Sequence, residues 1–141
     1  KRKLDSNTCL MLIVFAFLFI TIFVTQFSYS KIIETKSLSD DAISILKDER
    51  PKRLFNYYDY GAYLIKEDIP VFIDGRADLY SKYIYEDYLT MSNLEYGFTK
   101  LFDKYQFDYF IVPKKSGVAS YLQEKCDTIY KDKTCIIFRA K

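Results

Sequence analysis

Hydrophobic and polar positions follow two regimes along this chain. Residues 8–27, TCLMLIVFAFLFITIFVTQF, hold no charge, whereas downstream the apolar positions come in short groups between charged ones. At ~1.5 Å per residue, a helix of the first kind just crosses the ~30 Å hydrocarbon core of a bilayer. In lipid its backbone groups find partners only inside such a helix. The pattern therefore predicts a transmembrane helix, carried with its basic flank in residues 1–30, and a globular part in residues 31–141. Lys1, Arg2 and Lys3 precede the run, against Lys31 and Lys36 after it. That bias puts the leading end in the cytoplasm and the globular part on the outer side of the cell membrane. Two readings compete with the span. A basic start, an apolar run and Ser28-Tyr29-Ser30 imitate a secretory signal, but signal cores run to only ~7–15 residues. A buried soluble helix needs a polar face, which this run lacks. The chain also opens on Lys1 rather than an initiator methionine, and reads as an excerpt in which this helix is the last of several.

Beyond the run, the periodicity changes every few residues. Ser39 or Asp40 caps a helix to about Glu49, with Ala42, Ile45 and Leu46 on one face and Pro51 behind it. Residues 53–56 read as a short strand, followed by an aromatic helix over 58–66. Val71, Phe72 and Ile73 read as a fully apolar strand that stops at Asp74-Gly75. Helices are expected over 81–91 and 96–104, a buried strand over 109–112 ended by Pro113, and a helix over 116–124. Two last strands, CDTIY and TCIIFR, flank a turn at Lys131-Asp132-Lys133. Strands alternating with helices predict an α/β fold. One transmembrane helix is followed by a small open sheet, covered on both faces, with an antiparallel C-terminal hairpin at its edge.

Charge and composition narrow the chemistry. The formal net charge is +2, an excess that Lys1, Arg2, Lys3 and Asp5 already carry. The globular part is thus near neutral, which argues against a nucleic-acid partner. Histidine is absent, so a self-contained Ser-His, Cys-His or zinc site is excluded. Of the three cysteines, Cys9 lies in the apolar run and reads as a small hydrophobe. Cys126 and Cys135 could pair in an oxidising compartment, although a tight turn would put Cys135 opposite Tyr130 and leave Cys126 roughly 13 Å away at strand rise. That is beyond the ~7 Å a disulfide spans; the sequence leaves the bridge open.

Two clusters leave the carboxyl ends of expected strands, where α/β folds place their ligands. The first is Asn56-Tyr57-Tyr58-Asp59-Tyr60-Gly61-Ala62-Tyr63-Leu64-Ile65. Asp59 there can accept a hydrogen bond at a helix start, and the tyrosines offer flat faces with polar rims. The plainer account is that Asp59 caps the helix and the tyrosines are core. The second cluster is Phe72-Ile73-Asp74-Gly75-Arg76-Ala77-Asp78, whose two outer acids could orient an arginine fork or take a hard cation with water. Gly75 lets the chain turn, Asp74 and Asp78 shape that turn, and Arg76 offers a planar fork for phosphate or carboxylate oxygens. A salt bridge of Arg76 to Asp78 or Asp59 that merely fixes the loop is the alternative.

The run Tyr57-Tyr58-Asp59-Tyr60-Gly61 resembles the W-W-D-Y-G motif of oligosaccharyltransferase catalytic subunits. An apolar strand ending in an acid, here at Asp74, and Phe107-Asp108-Tyr109-Phe110-Ile111-Val112 also have counterparts in that family. More closely, R-L-F-N-x-Y-x-x-G-x-Y-L-I followed by V-F-I-D-G-R-A-D-L-Y is similar to the tails of multi-spanning proteins of the GT-C class of lipid-linked-sugar glycosyltransferases. The resemblance implies an extracytoplasmic C-terminal domain, with Tyr57, Tyr58 and Asp59 as the acceptor pocket; both tryptophans of the motif are tyrosine here. It further implies a polyprenyl-phosphate-linked sugar and an acceptor as partners, besides the bilayer and upstream membrane helices. Catalytic carboxylates, and the ligands of a divalent cation in the complete protein, would lie outside this segment. The rival expectation is a non-enzymatic anchored domain that binds a protein or a cell-envelope glycan.

Overall fold

A computed structural model describes residues 5–36, 38–76 and 79–141, with residues 6, 7, 9 and 27–36 described as backbone only. The chain divides into two units, Lys1–Thr35 and Lys36–Lys141. The first unit is built on helix α1, Ser6–Lys36. It corrects the expectation of a transmembrane helix at the head of the fold: among the described residues, no helix is long and apolar enough to cross a membrane. The described large apolar side chains extend from Leu10 to Val24 and are exposed. The same helix then continues through Ser28, Ser30, Lys31 and Glu34 to Lys36.

In the second unit, α2 (Asp40–Glu49) starts where Ser39 Oγ accepts from Ala42 N at 3.3 Å, and its first turn carries Asp40 and Asp41. It stops at Arg50, whose φ of 51° is left-handed, just ahead of Pro51. Strand β1 (Leu54–Asn56) follows. A short 3-10 turn (Tyr58–Tyr60) leads into α3 (Gly61–Lys66), so the single aromatic helix expected over 58–66 is two pieces. Helices α4 (Lys82–Ser92) and α5 (Phe98–Tyr105) precede β2 (Tyr109–Pro113). Helix α6 (Gly117–Gln123) and the hairpin strands β3 (Asp127–Lys131) and β4 (Cys135–Arg139) close the chain.

The sheet order is β1-β2-β4-β3. The β1–β2 pair is parallel, and β4 is antiparallel to both β2 and β3. Alternation along the strands sorts the core into two layers. Phe55, Phe110, Val112, Ile136 and Phe138 face one way, under Tyr88 and Met91 of α4 and Val118, Ala119 and Leu122 of α6. Leu54, Ile111, Cys135 and Ile137 face the other way, under Ala42 and Leu46 of α2 and Leu64 of α3. Both faces are thus covered, which is why the central strands read as unbroken apolar runs.

Two local expectations change. Residues 71–73 form no strand, because their backbone is paired by a side chain. The carboxamide of Asn56 accepts from Phe72 N at 2.8 Å and Ile73 N at 3.4 Å, and donates to Ile73 O at 2.7 Å. In the hairpin, Tyr130 opposes Ile137 rather than Cys135, with an irregularity between Thr128 and Tyr130. Cys135 instead pairs with Pro113 of β2. Cys126 and Cys135 are both free thiols.

Candidate functional site

The site grows from the end of β1, where the chain must leave the sheet beside the segment that Asn56 holds. Asn56 itself is fully buried, and its Nδ2 also donates to Tyr57 O at 3.0 Å. Buried polar groups persist only when their hydrogen bonds are made, so this amide both needs and fixes residues 72–73. Directly afterwards, Gly61 opens α3 against the same backbone. A Cβ on Gly61 would lie 2.6 Å from Asp74 Cα, Asp74 Cβ and Ile73 O. No side chain fits there, and the helix start sits directly on the Ile73–Asp74 backbone.

Asp74 is 1 % exposed and is fully engaged. Its Oδ1 accepts from Arg76 N at 2.7 Å and Arg76 Nε at 3.0 Å. Its Oδ2 accepts from Arg76 Nη2 at 2.8 Å and Tyr80 OH at 2.6 Å. The bonds from Arg76 outweigh the cost of burial and hold this carboxyl well below the usual range; Tyr80 adds to the effect. Burial and the neighbouring carboxylate push the Tyr80 phenol up. Arg76 is gripped side-on, while 61 % of its side chain remains exposed. Among the described residues its ion-pair partner is therefore Asp74, two residues back.

The structure brings Tyr57, Tyr58, Asp74, Gly75 and Arg76 together. Tyr57 OH donates to Ser92 O at 3.1 Å, its ring meets Phe55 and Tyr88 edge-on, and burial raises its pKa. Tyr58 N donates to Tyr88 OH at 3.1 Å, and Tyr58 OH donates to Gly75 O at 3.2 Å. Both hydroxyl protons are thus committed to backbone carbonyls. Tyr58 ties the first cluster to the second. Asp59 is exposed in the 3-10 turn and is not without an interaction of its own. Asp78 lies outside the described residues.

Between α3 and the Asp74–Arg76 turn is an open pocket of about 280 Å³, lined by Ala62, Ile65, Asp74, Gly75 and Arg76. Ala62 and Ile65 belong to the first cluster but were given no role in the sequence reading, and neither were Asn56 and Tyr80, which act here in support. Their signal was faint: Ala62 and Ile65 lie three apart beside Gly61, and Asn56 is a polar residue closing an apolar strand. Among the described residues, no group of three or more acidic or cysteine side chains is placed to hold a metal ion. Comparison with protein-family models, with curated proteins and with solved structures gives no match.

Proposed function

We propose that the globular unit is the C-terminal extracytoplasmic domain of a multi-spanning GT-C-like membrane glycosyltransferase, serving acceptor binding or support. The whole enzyme would move a sugar from a polyprenyl-phosphate carrier to an acceptor, with its catalytic set outside residues 38–141. The observation that carries this reading is the joining of the two motif segments at the carboxyl end of β1. Gly61 rests on the Ile73–Asp74 backbone, and Tyr58 OH bonds Gly75 O. Ligand sites in α/β folds occupy that end of the strands. Within the reading, Tyr57 and Tyr58 form the wall of the acceptor pocket, Asp59 its rim, and the Asp74–Arg76 turn its floor.

The test is sugar transfer by the full-length protein. Asp59→Ala and Arg76→Ala each lower transfer or acceptor affinity about tenfold or more, as loss of a charged hydrogen-bonding group does. Unchanged transfer and acceptor affinity in both variants overturns the reading. A second reading, an anchored domain binding a protein or glycan without catalysis, is favoured by one observation. Leu79, Tyr83 and Tyr96 are 72 %, 76 % and 101 % exposed, large side chains that a partner could cover.

A further inference from the structure

We propose that the pocket between α3 and the Asp74–Arg76 turn binds a small amphiphilic oxyanion: a carboxylate or phosphate monoester carried on an apolar body. This rests on the reading above only in taking this end of the sheet as the ligand-facing one. The oxyanion sits on the Nη1 side of the Arg76 fork, and the body lies against Ala62 and Ile65.

The hydrogen-bonding inventory of the lining dictates the head group. A carboxylate offers about four lone-pair sites, and Asp74 uses them on Arg76 N, Nε and Nη2 and on Tyr80 OH. Asp74 therefore has nothing left to accept from a ligand. Arg76 can only donate, so the charged side of the pocket is donor-only. It fits a group that only accepts, as carboxylate and phosphate oxygens do, better than a hydroxyl that must also donate. Asp74 takes the Nε–Nη2 side of the guanidinium, which leaves the Nη1 donors of a side chain that is 61 % exposed. Being clamped by Asp74, the fork is already oriented, which lowers the ordering cost of binding.

The opposite wall dictates the rest of the ligand. Ala62 and Ile65 are three apart on α3 and share a face; both line the pocket. Gly75 puts no side chain in the way, and a Cβ there would meet nothing within 4 Å. The pocket is open and small, about 280 Å³, so a compact body such as the ring of benzoate suits it as a probe.

The experiment titrates the full-length, ¹⁵N-labelled chain with benzoate and with phenyl phosphate. Inorganic phosphate and benzyl alcohol each supply half of the chemistry. Saturable shifts of the Ala62, Ile65 and Gly75 amides and of the Arg76 Nε–H are expected from both amphiphiles. Their affinities exceed those of either half-probe by about tenfold or more, and the tighter of the two tells carboxylate from phosphate. Arg76→Lys keeps the charge but loses the fork, and weakens binding about tenfold. Ile65→Glu changes an exposed residue, leaves the Asp74–Arg76 pair intact and repels the anion. It abolishes the shifts while the Arg76 Nε–H resonance stays in place. The proposal is overturned if no saturable shift occurs, if a half-probe binds as well as the amphiphiles, or if Ile65→Glu binds like the parent. Loss of transfer in Asp59→Ala without probe binding removes the pocket and leaves the acceptor reading standing. Probe binding with transfer unaffected does the reverse.

Discussion

Asp74 keeps its negative charge in a place that solvent barely reaches, because four hydrogen bonds favour the ionised form over burial. Its folded pKa lies below the ~3.9 of an unfolded aspartate. The stabilisation is therefore complete above the unfolded value and is lost as pH falls through the folded one. Asp74→Asn should lower unfolding free energy at neutral pH by about 1–3 kcal/mol. It should also flatten the loss of stability below about pH 4. Denaturant midpoints measured from pH 7 down to pH 2 check both. Part of the slope survives in the variant through Asp132. Burial disfavours its charge, but the N–H groups of Cys135 and Thr134, with the Thr134 and Ser39 hydroxyls, outweigh that. The sequence showed Asp74 and Arg76 as candidates but left the fork's partner open, since Asp59, Asp74 and Asp78 all stood within reach. Burial decided it: Asp74 is almost fully enclosed, and an enclosed charge requires its counter-ion.

At the scale of elements, two glycines in the same site carry opposite obligations. Gly61 touches backbone, so Gly61→Ala must push α3 away from Asp74, at about 1–3 kcal/mol as overpacking typically costs. Gly75 faces open space, so Gly75→Ala should stay within about 0.5 kcal/mol of the parent. Thermal or urea unfolding of the two variants side by side provides the comparison. Much of the element order was legible, because capping residues announce themselves. Ser39, Ser81 and Ser116 each accept from a backbone N–H at the start of their helix, and an apolar periodicity follows. Residues 71–73 misled because an apolar triplet says nothing about what pairs its backbone. A strand and a side-chain carboxamide satisfy the same N–H and C=O groups. The hairpin register also shifted, since the turn is wider than a tight one: Asp132 N donates to Cys135 O and Lys131 pairs with Ile136. The irregularity between Thr128 and Tyr130 changes only the pairings beyond it.

For the whole molecule, the two core layers meet at the sheet, and Cys135 lies fully buried in one of them. Burial, helped by the nearby Asp132 carboxylate, pushes its thiol up to about 12. Cys126 is only partly buried and is raised mainly by desolvation. A thiol reagent at pH 8 should therefore label Cys126 in the native protein and reach Cys135 only through global opening. Mass spectrometry of the labelled sites against time shows whether the two rates separate. The apolar head of the chain was easy to see and its meaning was not. A run of apolar letters gives helix, here α1, but among the described residues no helix is long and apolar enough to cross a membrane. The margins of the sheet have a further consequence. On one side the Asn56 carboxamide occupies the polar groups of residues 72–73 beside β1. On the other, β3 is kinked at an irregular residue and bears Asp127 and Lys131. A charged, irregular outer strand of that kind is a device by which edge strands discourage pairing with a foreign strand.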